Sequence, residues 1–244
     1  MPVLLNCPSA RAADFYVAPI RLYLDSQART GAITVTNDAP EPLNVQVQAF
    51  KWTQDPSGKD VYTETKNIIY FPRIATVDGK GQRIIRAGVQ VPAASVEKTY
   101  RIFIGEIPAR HTNEKNAQIN VAIRFGVPIF VKPVQEKPSA ALGSLGIYNG
   151  VLEVPVRNTG NVHFIIKTIS VKGKNARGEA VFSKDVSGWY LLAGASRLYS
   201  VPIDNSKCRD LARLDIAVTT DRPDVDLSGS LEVNKKMCGP TGQK

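Results

Sequence analysis

The stretch that most constrains this chain is AQINVAIRFGVPIFVKP, residues 117–133. In its first part Ile119, Val121, Ile123 and Phe125 alternate with Gln118, Asn120, Ala122 and Arg124. A period of two marks a strand with one apolar face. At ~3.3 Å per residue the whole stretch would extend over about 55 Å, two to three times an ordinary strand. A ribbon of that length needs something to cover its apolar side.

The rest of the chain is also read as strands, with almost no helical periodicity. FYVAPIRLYL (15–24) is extended, with Ile20, Leu22 and Leu24 on one side and Arg21 and Tyr23 on the other. GAITVTN (31–37) runs into the turn-forming NDAPEP, and LNVQVQAFKW (43–52) alternates cleanly before the loop TQDPSGKD. IIYFPRI, QRIIRAG and KTYRIFIGEIP add three more strands, and the opening stretch is the seventh. Seven short strands separated by turn signals predict an immunoglobulin-like sandwich over residues 14–133. VKPVQEKPSA (131–140) holds three prolines and reads as a stiff connector. A second β-rich tier, with the turn NTGN at 158–161, predicts a smaller sandwich over 134–244. The expected class is all-β, with two immunoglobulin-like domains.

Residues 1–13 read as the remnant of a signal peptide, because a short apolar run precedes Ala10-Arg11-Ala12, an A-x-A cleavage pattern. Pro2 and Pro8 interrupt the run, and a disordered N-terminus is the alternative. Cleavage there would remove Cys7 and leave Cys208 and Cys238. In an exported chain an even pair predicts one disulfide, with two buried thiols as the other reading. No run reaches the ~18 apolar residues of a membrane-spanning helix.

The net charge is +9, but lysines and arginines are interspersed with acids, and no basic stripe with interleaved aromatics points to nucleic acid. A basic surface also suits acidic protein partners. No catalytic or metal-binding constellation stands out. The two histidines, His111 and His163, are not at ligand spacing with another donor, and GxSxG, HExxH and P-loop patterns are missing. Asp221, Asp224 and Asp226 lack the remaining ligands of a calcium loop and read as a hairpin tip. The expectation is a binding protein without enzyme activity, metal or cofactor.

The segments VAPIRLYLDSQARTGAITVTNDAPEP, QRIIRAG, YRIFIGEIP and INVAIRFGVPIFVKP, in that order, resemble the periplasmic pilus chaperones of the PapD-like superfamily. YRIFIGEIP and RFGVPIF are more similar to the archaic (sigma-type) group. The resemblance implies two immunoglobulin-like domains in an L or boomerang. It implies that pilus subunits are bound in the periplasm by donor-strand complementation, without cofactor, and passed to an outer-membrane usher. It places the donor side chains on Ile119, Val121 and Ile123, with Ala117 and Phe125 as extensions.

The resemblance further implies a basic anchor for the subunit's C-terminal carboxylate. The first anchor falls on Arg21, while Pro128 stands where the classical group has a lysine. Arg101 is the first choice for a substitute cation and Arg124 the second. A charged cluster between the domains would comprise Glu106, Lys132 and Asp221, with Arg86 joining it. Lys132 stands where the family usually has an arginine, which loses two-pronged geometry. An exposed apolar ribbon also favours self-association of the free chain. The alternative class is a secreted immunoglobulin-like structural protein, a pilin or two-domain adhesin. A pilin would lack a closing strand.

Overall fold

The computed structural model describes residues 15–108 and 122–238. They form two compact units, each a pair of β-sheets around its own core. The first unit draws on Met1–Lys51, Tyr62–Pro92 and Thr99–Val131. The second draws on Trp52–Val61, Ala93–Lys98 and Lys132–Lys244.

The strands running through the first unit are β1 (Phe15–Ala18), β2 (Leu22–Leu24), β3 (Thr30–Asn37), β4 (Leu43–Gln54), β5 (Asp60–Glu64), β6 (Ile68–Phe71), β7 (Ile74–Val77), β8 (Gln82–Val89), β9 (Lys98–Glu106) and β10 (Arg124–Val131). One sheet has the order β1-β3-β8-β6 and the other β2-β10-β9-β4-β5, with β7 also on β4. Ile33, Val35, Val45, Ile85, Ile102, Ile104 and Ile129 fill the space between them. They sit at every second position of their strands, as a half-buried pleat requires.

Two segments expected as single strands are each divided at a proline. FYVAPIRLYL breaks at Pro19: β1 pairs antiparallel with β3, and β2 crosses to the other sheet and pairs parallel with β10. IIYFPRI breaks at Pro72 into β6, on β8, and β7, on β4. Proline has no N–H for a ladder, so these are the points where the chain leaves one sheet for the other. The NDAPEP turn is organised by buried Asn37. Its Nδ2 faces the carbonyls of Glu41 (2.8 Å), Val77 and Asp78 (both 3.2 Å), and its Oδ1 accepts from Ala39 N at 3.0 Å.

The second unit contains β11 (Ala140–Leu142), β12 (Gly146–Tyr148), β13 (Val151–Asn158), β14 (Phe164–Lys174), β15 (Ala180–Ser187), β16 (Tyr190–Leu191), β17 (Ser196–Pro202), the short helix α1 (Asn205–Asp210), β18 (Arg213–Thr220) and β19 (Leu227–Glu232). Its sheets are β11-β13-β12, with β17 on β13, and β15-β14-β18-β19, with β16 on β14. Buried Asn158 at the NTGN turn repeats the device of Asn37, with Nδ2 donating to Val162 O (2.8 Å) and Leu191 O (2.9 Å). His163 is buried, its Nδ1 2.7 Å from Glu97 Oε2. Asp221 and Asp226 accept backbone bonds from Ile165 N (2.6 Å) and Thr220 N (2.7 Å). The segment expected as a hairpin tip contains a short 3₁₀ turn, Pro223–Val225. Among the described residues no cluster of three metal-ligating side chains occurs.

Two links close this unit. Cys208 and Cys238 are bonded, tying the end of β19's extension to α1 across a sequence separation of 30. Glu136 receives a bond from Arg222 Nη2 at 2.8 Å and faces Lys132 Nζ at 3.7 Å. Arg222's bond, opposed by partial burial and aided by Lys132, holds the Glu136 carboxyl below the usual carboxylate range.

Replacing Cys208 and Cys238 by serine should cost about 3–4 kcal/mol by loop-closure entropy, read as a lower urea midpoint, and reductant should produce the same loss in the parent protein. Glu136→Gln should destabilise by less than about 1 kcal/mol at neutral pH, since both partners are partly solvated. The Glu136 pKa is lowered on folding, so its contribution is present above the ordinary carboxylate pKa and lost as pH falls through the folded value. The gap between parent and variant urea midpoints should therefore close on acidification from pH 6 to pH 3.

Candidate functional site

The site is built around β10, whose two halves have different neighbours. Ile129, Phe130 and Val131 pair with Leu22, Tyr23 and Leu24 of β2. The preceding residues, Arg124 to Pro128, have β9 on one side and no described strand on the other. Glu106 N donates to Ile123 O at 3.0 Å. In an antiparallel ladder this turns the backbone groups of residues 124 and 126 toward the open edge. Pro128, which has no N–H, occupies the same alternation, where no ladder donor toward β9 is needed.

On the inner face Val127, Ile129 and Val131 are buried in the core, and Ile123 and Phe125 pack against it in part. The Phe125 ring lies edge-on to Phe15, centroids 5.0 Å apart. The two described donor candidates thus lean on the domain's own core. Ala117, Ile119 and Val121 lie outside the described residues.

The outward face carries the cations. The Glu106–Ile123 bond sets the β9–β10 register, and Gly105 lies beside Arg124, where a Cβ would stand 3.5 Å from Arg124 Cγ. A Cβ at Gly126 would stand 2.9 Å from Phe103 Cε1 and 3.1 Å from Arg101 Cδ, so only glycine leaves room for both side chains. The same register sets Arg101 opposite Pro128. On the other flank, one step before the Leu22–Ile129 pair, Arg21 comes beside Pro128. Two arginines therefore flank the proline, with backbones two strand spacings, roughly 10 Å, apart.

Arg101 is only 8% exposed. Its Nη1 donates to Tyr62 Oη at 2.5 Å, and its Cζ is 5.6 Å from the centre of the Tyr62 ring. Arg124 is engaged differently. Its Cζ lies 4.0 Å from the centre of Phe103, and its Nη2 donates to Gln48 Oε1 at 3.3 Å. It is four residues from Pro128 along β10, about 13 Å. Phe103 lies edge-on to both Tyr62 (5.1 Å) and Phe50 (5.8 Å), forming an aromatic floor beside the arginines.

Glu106 and Arg86 are in the first unit, and Lys132 and Asp221 in the second. Glu106 Oε2 is buried with no hydrogen-bond partner among the described residues. Lys132 faces Glu136, and Glu136 holds Arg222, the neighbour of Asp221. Sequence reasoning did not single out Tyr62, Phe103, Gly126, Glu136 or Arg222. Only Glu136 had a sequence signal, its i+4 spacing from Lys132.

The family profile of the pili and flagellar-assembly chaperones, PapD N-terminal domain, matches residues 14–137. No curated protein sequence matches the chain. Among solved structures, the chain is similar to the CsuC–CsuE chaperone–tip adhesion subunit pre-assembly complex from the archaic chaperone–usher Csu pili of Acinetobacter baumannii. The TM-score is 0.58 at 18% identity, covering 78% of this chain and 91% of that one. The SafB chaperone–SafA pilin complex of Salmonella enterica gives a TM-score of 0.55 at 13% identity, covering 92% and 99%. The Pseudomonas aeruginosa CupB2 chaperone gives 0.53 at 14% identity, covering 90% and 100%. At such identities the likeness concerns the fold, two β-sandwiches in succession. With that family profile matched over half of its length, the chain belongs to the pili and flagellar-assembly chaperone family.

Proposed function

We propose that this protein is a periplasmic chaperone that binds and caps pilus subunits by donor-strand complementation and delivers them to an outer-membrane usher. The observation that carries this reading is the edge of β10 from Arg124 to Pro128, open among the described residues and beside two arginines. An unpaired edge offers N–H and C=O groups to an added strand. The odd-numbered positions that face the core in β10 continue in sequence as Ile123, Val121, Ile119 and Ala117. A partner with an incomplete sandwich could take these side chains in place of its missing strand. Burying three aliphatic side chains would contribute roughly 5–8 kcal/mol before ordering costs.

The register of such an exchange needs a fixed point, because a slip of one residue turns every side chain to the wrong face. Arg21 and Arg101, flanking Pro128, supply it by binding the partner's terminal carboxylate with charge-assisted hydrogen bonds. Arg101 takes the role of the lysine that Pro128 displaces. Arg124 is four residues away and stacked on Phe103. The bonded pair Cys208–Cys238 suits an oxidising compartment such as the periplasm. A pilin would be missing a strand from its sandwich, whereas here β10 lies between β2 and β9.

Val121→Asp should abolish recovery of subunit complexes from the periplasm on co-expression with candidate subunits, with the urea midpoint unchanged. Complexes at parental yield would remove the donor-strand assignment. Arg21→Ala and Arg101→Ala should each weaken subunit capture by about tenfold or more, and Arg124→Ala by less than about threefold. Capture lost only in the Arg124 variant would reverse the choice of cation.

A further inference from the structure

Arg101 is held by a side chain that alternation does not reveal. We propose that Tyr62 is the positioning residue for Arg101, its phenol oxygen setting the guanidinium in the orientation that receives a partner chain's terminal carboxylate. This rests on the anchor reading above and deepens it.

Tyr62 lies in β5, the last strand of the sheet order β2-β10-β9-β4-β5. Its side chain meets Arg101 in two ways. Nη1 donates to its oxygen at 2.5 Å, and Cζ lies 5.6 Å from its ring centre. One residue thus fixes both the direction of the guanidinium in its plane and the surface it lies against. A guanidinium carries five N–H donors in a rigid fork, so a bond at Nη1 sets the direction of the whole fork. Tyr62 is itself braced edge-on by Phe103, which Phe50 and Arg124 pack against in turn. Gly126 keeps the space beside Arg101 Cδ open. A long side chain on a flat sheet face loses much rotamer freedom on binding. A preset guanidinium has less to lose, which favours the charged ligand.

The probe is N-acetyl-trialanine and its C-terminal amide, titrated into the full chain by NMR, with guanidinium resonances assigned by Arg101→Lys. These peptides fill no groove, so they isolate the carboxylate site from the donor strand. The parent should prefer the free acid by about tenfold, the scale of a hydrogen bond to a charged group. Tyr62→Phe keeps the ring and its contacts with Phe103. It should bring the acid preference below about threefold, leave amide binding and melting temperature unchanged, and speed rotation of the Arg101 guanidinium. Arg101→Lys should also lose the preference, because an ammonium lacks the planar fork.

An undiminished acid preference in Tyr62→Phe would overturn the proposal. So would an equal loss of acid and amide binding with a lowered melting temperature, which marks a structural role. No acid preference in the parent would overturn both the anchor and Tyr62's role, even if subunit capture still depended on Val121. A Tyr62-dependent preference without Val121-dependent capture would leave this proposal standing and remove the donor-strand reading.

Discussion

The organisation of the first unit depends on where its first strand segment changes sheets. At Pro19 the chain leaves β3 and crosses to β10, but β2 is only three residues long. It satisfies the outer edge of β10 at Ile129–Val131 and stops there. Had the segment continued along β10, the backbone groups at residues 124 and 126 would have a partner within the domain. Among the described residues the short β2 therefore sets both the open edge and its boundary. Arg21 stands at that boundary because it is the residue before the pairing begins.

A second consequence concerns the outward face of the same sheet. Strand register puts Arg101 opposite Pro128 and Gly126 beside Phe103, so charge and aromatic surface alternate along β9 and β10. A buried arginine costs free energy unless its donors are bonded, and Tyr62 supplies one such bond. The cation–π contacts of Arg101 with Tyr62 and of Arg124 with Phe103 keep the two guanidinium groups on separate supports. Arg101 thus stands beside Pro128, and Arg124 four residues away on Phe103. The second unit relies on different devices: a disulfide at one end, the Asn158 turn, and the ion pairs of Glu136.

Much of this was legible in the sequence, and the reasons differ by residue. Alternation at Leu43–Ala49 predicted a strand whose apolar positions are buried, because the pleat ties parity to face. The resemblance in VAPIRLYL and RFGVPIF pointed to Arg21 and to the anomaly at Pro128. The division of 15–24 and 68–77 into strands of different sheets was less visible, since proline marks a break but not the sheet on the far side. Tyr62 carried no signal: it sits in DVYTE, a mostly polar strand, and matters through a residue 39 positions away. His163, which is not at ligand spacing with another donor, is buried against Glu97, a pairing set by chain folding over 66 residues.

The sequence by itself determined the all-β character, the sandwich period and which face of each strand is apolar, because side-chain alternation is a local property of the backbone. It also carried the motifs that place the chain among pilus chaperones. Only the tertiary structure decided which cations meet at Pro128. Strand order and register bring β2, β10 and β9 side by side, and neither can be read from any one strand. A β-sheet assembles its outward face from residues far apart in the chain. The arginine pair and the tyrosine that holds one of them exist only once β2, β9 and β5 have taken their places.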